Sequence, residues 1–154
     1  MHLTDIISPD RVVSNVQAKS KKRAFETISD VIASNSEVTM GANDIFDSLI
    51  ARERLGTTAI GHGIAIPHGR IKESSKTIGA FVQLKDGIDC DALDNEAVNL
   101  IFAVLVPENT NEEHLQLLAR LAQMFKNTEL REKLLAAPDN KTLYDLLVQW
   151  DQTH

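Results

Sequence analysis

Apolar positions along the 154 residues recur with two different periods, and the change of period divides the chain. After a short apolar segment at Val12 and Val13, residues Ala24, Phe25, Ile28, Val31 and Ile32 keep the three-and-four spacing of one helical face, which predicts a helix over 21–34. Ala42, Ile45, Phe46, Leu49 and Ile50 repeat that spacing. This second helix is expected to carry Arg52 and Arg54 in its last turn, where cations oppose its partial negative charge, and to be capped by Gly56. From Thr57 glycines and β-branched residues take over. Residues 63–66 read as a short strand that stops in a turn at 67–70, 77–84 as a second strand, and 97–107 as a third. The third is almost wholly apolar, so both of its faces must be covered, as for a central strand between helices. Helical spacing then returns. Thr110 and Glu113 form a capping-box pattern at the start of 111–127, whose Leu115, Leu118, Ala119, Ala122 and Phe125 are expected to be buried. Shorter helices are predicted at 129–137 and 141–150, with Pro138 between them. The expected architecture is a single layered α/β domain spanning 1–154.

Composition narrows what such a domain does. With 43% apolar residues, a chain of this length can bury roughly 70% of its unfolded surface without a covalent staple. The one cysteine, Cys90, allows no internal disulfide and sits among carboxylates that would raise its pKa, so it is expected to pack as a small apolar group. No basic leader precedes an apolar stretch, and no run approaches the ~20 apolar residues of a membrane span, which makes the cytoplasm the expected location. The net charge of −6 argues against a nucleic-acid partner. The only dense basic cluster, residues 19–23, reads as the exposed start of a helix. One Trp and one Tyr leave little surface for stacking bases.

The candidate chemistry lies in "GIAIPHGR", residues 63–70, where His68 follows Pro67 and precedes Gly69. Proline restricts the backbone before the ring, and glycine leaves room after it for another molecule to approach. A neutral imidazole there could attack a phosphorus or acyl centre; a histidine in such a turn could equally bond only to local backbone. His114 falls in the first turn of the helix after the central strand, where the helix dipole favours the neutral ring. Zinc is disfavoured for His62, His68 and His114 because no H-E-x-x-H or paired cysteines occur. His2 and His154 are terminal and expected to be disordered. Neither a G-x-S-x-G elbow nor a P-loop is present.

"RERLGTTAIGHGIAIPHGR", then "FVQL", "IDCDALDNEAVNLIFAVLVP" and "HLQLLARLA" in that order, resemble the fructose and mannitol type of enzyme IIA in the bacterial phosphotransferase system, and within it the nitrogen-regulatory branch. The resemblance implies a central mixed β-sheet flanked by helices on both sides. It also implies that His68 takes a phosphoryl group on Nε2 from the phosphohistidine of an HPr-like carrier protein. Arg52 and His114 would flank that group, Arg52 neutralising its charge and His114 donating a hydrogen bond. Arg54 and Arg70 are expected to be solvated or on the docking rim, and His62 inherits no role. The implied function is a phosphocarrier, with no cofactor and no metal, that regulates partners such as potassium-transport or sensor proteins according to its phosphorylation state. The alternative is a sugar-specific enzyme IIA that passes phosphate to a IIB component.

Overall fold

The computed structural model describes residues 2–35, 38–72, 76–109 and 112–154. Its strands are β1 (Val12–Val16), β2 (Ala59–Gly61), β3 (Ile64–Ala65), β4 (His68–Ile71), β5 (Ile78–Ile88) and β6 (Val98–Pro107). Its helices are α1 (Lys21–Ala33), α2 (Ala42–Glu53), α3 (Glu112–Phe125), α4 (Thr128–Ala136) and α5 (Asn140–Thr153). The run that reads as a central strand is one. Strand β6 pairs antiparallel with β5 on one side and parallel with β3 and β4 on the other. With β1 parallel to β5 and β2 antiparallel to β3, the sheet is mixed and ordered β1-β5-β6-β3-β2.

Alternation along β6 feeds two cores. Leu100, Phe102, Val104 and Val106 join Leu117, Leu121, Phe125, Leu134, Leu143 and Leu147 of α3, α4 and α5. Ile101, Ala103 and Leu105 join Phe25, Ile28, Ile32, Ile45 and Leu49 of α1 and α2 on the opposite face. Three rings, Phe81, Phe102 and Phe125, lie with centroids 6.1 to 6.2 Å apart in the first core, a separation at which aromatic pairs add to area burial. The fold is thus α/β, with helices on both faces of the sheet.

Several local expectations are corrected. The turn at 67–70 is a strand: His68 starts β4 and pairs with Val104, in the same register that sets Ile64 against Leu100. β3 and β4 are therefore one line of pairing along β6, interrupted at Ile66 and Pro67. Ile66 N–H turns outward to Thr58 O at 3.0 Å, and Pro67 has no N–H to give, although its carbonyl still accepts from Val104 N at 2.9 Å. Ahead of β3, the unpredicted β2 forms a tight hairpin in which His62 and Gly63 take positive φ of 58° and 79°. Helix α2 is capped by Arg54 in ordinary helical geometry; Gly56 lies beyond the cap, its N–H donating to Glu53 O at 3.2 Å.

The buried stripe of α3 is Leu117, Leu121, Met124 and Phe125, so that Leu115 and Ala119 face outward. The Thr110–Glu113 capping box lies outside the described residues. Both end histidines have defined places: His2 N donates to Asp5 Oδ2 at 2.9 Å, and the His154 ring stacks on Trp150 at 4.4 Å. Cys90 is buried as expected, and burial, opposed by the Lys21 ammonium and reinforced by the carboxylates of Glu53, Asp89 and Asp91, pushes its thiol up to about 11. Among the described residues no helix is long and apolar enough to cross a membrane.

Candidate functional site

Three elements converge on His68. β4 supplies the half-buried ring itself, whose Nδ1 lies 3.1 Å from Ile66 O. A carbonyl only accepts, so Nδ1 carries the hydrogen in this contact, and the lone pair of the neutral ring is left on Nε2. The interruption of β4 and β3 at Ile66 and Pro67 brings that carbonyl under the ring.

Helix α2 lies across β4. Ser48 Oγ donates to Arg70 O at 2.9 Å, and a side-chain carbon on Gly69 would press on Ser48 Oγ and sit 3.0 Å from the Ser48 carbonyl carbon. The space that the sequence reserves at Gly69 is therefore filled by α2 rather than kept for a visiting molecule. One turn further along α2, Arg52 donates from Nη1 to Gly56 O at 2.8 Å. This bond uses one of the five N–H donors of the guanidinium. Helix α3 begins at Glu112, which places His114 in its first turn at the positive end of the helix.

His68, Arg52 and His114 all line one cavity of about 480 Å³. Val106 and Leu118 contribute its apolar wall, and Arg70 lies on its edge. The charged side chains among its described lining are Arg52 and Arg70, an arrangement suited to an anion. Two further residues on this cavity, Leu55 and Leu115, are 84% and 69% exposed, which is unusual for leucine and gives the mouth an apolar rim. The sequence reading missed both, together with Ser48. Leu55 carried a signal, an apolar residue standing outside the helical stripe between Arg54 and Gly56. Leu115 carried none, because its spacing also fits the buried face.

The other candidates lie elsewhere. Arg54 is exposed and does not line the cavity. His62 belongs to the β2–β3 turn, where its backbone N–H donates to Asp94 Oδ2 at 2.9 Å and helps hold the Asp94 carboxyl below its usual range. Among the described residues no three His, Cys, Asp or Glu side chains converge as a metal site.

Comparison with known proteins decides the family. Residues 5–150 match the family described as "Phosphoenolpyruvate-dependent sugar phosphotransferase system, EIIA 2". The chain belongs to this enzyme IIA family. A "Nitrogen regulatory protein" of Pseudomonas aeruginosa is 41% identical over 148 residues, 96% of each chain. The "PTS system fructose-specific EIIA component" of Haloferax volcanii is 36% identical, over 97% of this chain and 98% of its own. The crystal structure of Nitrogen Regulatory Protein IIA-Ntr from Neisseria meningitidis superposes with a TM-score of 0.88 at 36% identity, covering 94% of this chain and 98% of that one. In this enzyme IIA the matched span takes in the strands β1 to β6 and the cavity residues His68, Arg52 and His114.

Proposed function

We propose that this enzyme IIA is a phosphocarrier of the nitrogen-regulatory branch whose phosphoryl acceptor is Nε2 of His68. The observation that carries the reading is the Nδ1 contact with Ile66 O, which selects the tautomer whose lone pair sits on the other nitrogen. In the transfer step, that lone pair forms an N–P bond while the P–N bond to the histidine of an HPr-like carrier breaks, and the electron pair returns to the carrier's ring. Positive charge then builds on the His68 ring, and its Nδ1–H bond to the Ile66 carbonyl strengthens as it does so. Arg52 turns its remaining donors to the phosphoryl oxygens, and His114 gives one hydrogen bond. Charge spread over those oxygens leaves the protein little to do beyond positioning and electrostatics. The leucine rim of Leu55 and Leu115 gives the carrier an apolar surface to dock against while the phosphoryl group is kept from water.

The charge added at this surface is the regulatory signal, read by partners such as the potassium-transport or sensor proteins that the family resemblance implies. A second reading is favoured by the fructose-specific relative of Haloferax volcanii, in which case the phosphoryl group moves on to a IIB component.

Intact-mass measurement after incubation with phosphoenolpyruvate, enzyme I and an HPr-type carrier tests the proposal. One acid-labile phosphoryl group is expected on the wild-type chain and on His62→Ala, and none on His68→Ala. Full labelling of His68→Ala would remove the assignment.

A further inference from the structure

From the buried contacts at the end of α2 we infer that Glu53 is a positioning residue for phosphoryl transfer, acting through Arg52. The inference rests on the proposed role of His68 and Arg52. Glu53 is next to Arg52 in sequence but points the other way, into the protein, and is 8% exposed. Its carboxylate accepts from Thr58 N, at 3.0 and 3.2 Å to its two oxygens, and from Thr58 Oγ1. Lys21 Nζ at the start of α1 lies 3.3 Å from the same carboxylate and 3.0 Å from Asp91 Oδ2. The Lys21 ammonium is opposed by burial, yet the two carboxylates hold it above the usual lysine range.

A buried carboxylate with this many donors is costly to leave unpaired, so these partners fix its position and the chain attached to it. That chain is the turn 54–58. The turn is further tied down where Thr57 Oγ1 donates to Cys90 O at 2.7 Å. It contains two groups of the site: the Gly56 carbonyl that holds Arg52, and Leu55 on the rim of the cavity. Every bond from Glu53 therefore sets where the Arg52 guanidinium rests relative to His68. Packing alone does not require a charge at this place, since an apolar side chain would close the same space without needing Lys21.

The test is a double-mutant cycle on the rate of transfer from the phosphorylated HPr-type carrier, with Glu53→Gln, Arg52→Ala and the double variant. The Glu53→Gln substitution keeps the shape of the side chain but sets an N–H₂ donor against Thr58 or Lys21. Misplacing the guanidinium by a fraction of an ångström is expected to lower the maximal rate on the order of tenfold, with the half-saturating carrier concentration nearly unchanged. In the Arg52→Ala background the same substitution is expected to cost less than about twofold, because its effect passes through the missing arginine. A role in stability alone would lower the rate by the same factor in both backgrounds, and that result overturns the inference, as does a Glu53→Gln rate equal to wild type. Thr58→Val and Lys21→Met remove single partners of the carboxylate and give the same cycle if Glu53→Gln fails to fold. Absence of labelling on the wild-type chain would instead overturn the assignment of His68, whatever Glu53 does.

Discussion

At His68 the informative atom is the one already engaged. Because Nδ1 is tied to Ile66 O, the ring is oriented as well as tautomerically fixed, and under the proposed function Arg52 and His114 need only meet a phosphoryl group on Nε2. Charge-assisted hydrogen bonds are worth roughly 1.5–3 kcal/mol, so Arg52→Ala should slow transfer by on the order of tenfold to a hundredfold, and His114→Ala by a similar or smaller factor. Quench-flow measurement of labelling decides this; unaltered rates with the fold intact would make both residues structural. Cys90 supports a prediction of another kind. Its thiol titrates near its ordinary value of 9.0 once unfolded and about 11 when folded. The unfolded chain therefore loses that proton first, and the contribution of Cys90 is complete below pH 9 and is lost as pH rises towards 11. Melting temperatures of the wild type should fall more steeply over that window than those of Cys90→Ala, and at neutral pH the native thiol should resist alkylation until the chain unfolds.

Among the elements, β4 and α2 set the site, and Gly69 sets their distance. Gly69→Ala should destabilise the protein by about 1–3 kcal/mol through overpacking against Ser48, read as a shift in the urea midpoint. Since Ser48 holds the Arg70 carbonyl and lines the cavity, the same variant should also slow labelling of His68. The helices and the strands of β5 and β6 were legible because long runs repeat one period, and the central place of β6 followed from its two apolar faces. Of the brief strands, β3 falls within the strand that the sequence shows at 63–66, whereas β2 and β4 were hidden: at three and four residues they are too short for alternation to show, and Pro67 with Gly69 imitates a turn where the chain in fact resumes pairing with β6. The spacing of α3 fits two overlapping stripes, and only the sheet beneath it chooses Leu117 and Leu121 over Leu115 and Ala119. His68, Arg52 and His114 were named from the resemblance together with their places at element ends. Glu53 and Thr58 were invisible, since a carboxylate buried by contacts from a preceding helix and a following turn looks in sequence like any surface pair.

On the scale of the whole molecule, the cavity face runs against the overall charge. The chain carries −6, yet the charged side chains in the described lining around His68 are Arg52 and Arg70, and the exposed Leu55 and Leu115 line the same cavity. Under the proposed function, the unmodified face offers these two guanidinium groups to a partner's carboxylates. A phosphoryl group adds roughly two negative charges, enough to offset both guanidinium groups and to give this face the sign of the rest of the protein. A regulatory target that docks through carboxylates should accordingly bind the unmodified form and release the phosphorylated one, while a target that docks through arginines should do the reverse. Either behaviour weakens as salt screens the pair. The regulatory reading therefore expects target affinity to change with the state of His68, and the phosphoryl group to persist when a fructose or mannitol IIB domain is added. Titrating the unmodified and phosphorylated proteins against candidate targets and against IIB separates the two uses of one site. Rapid transfer to IIB with target affinities unchanged would assign this enzyme IIA to sugar transport.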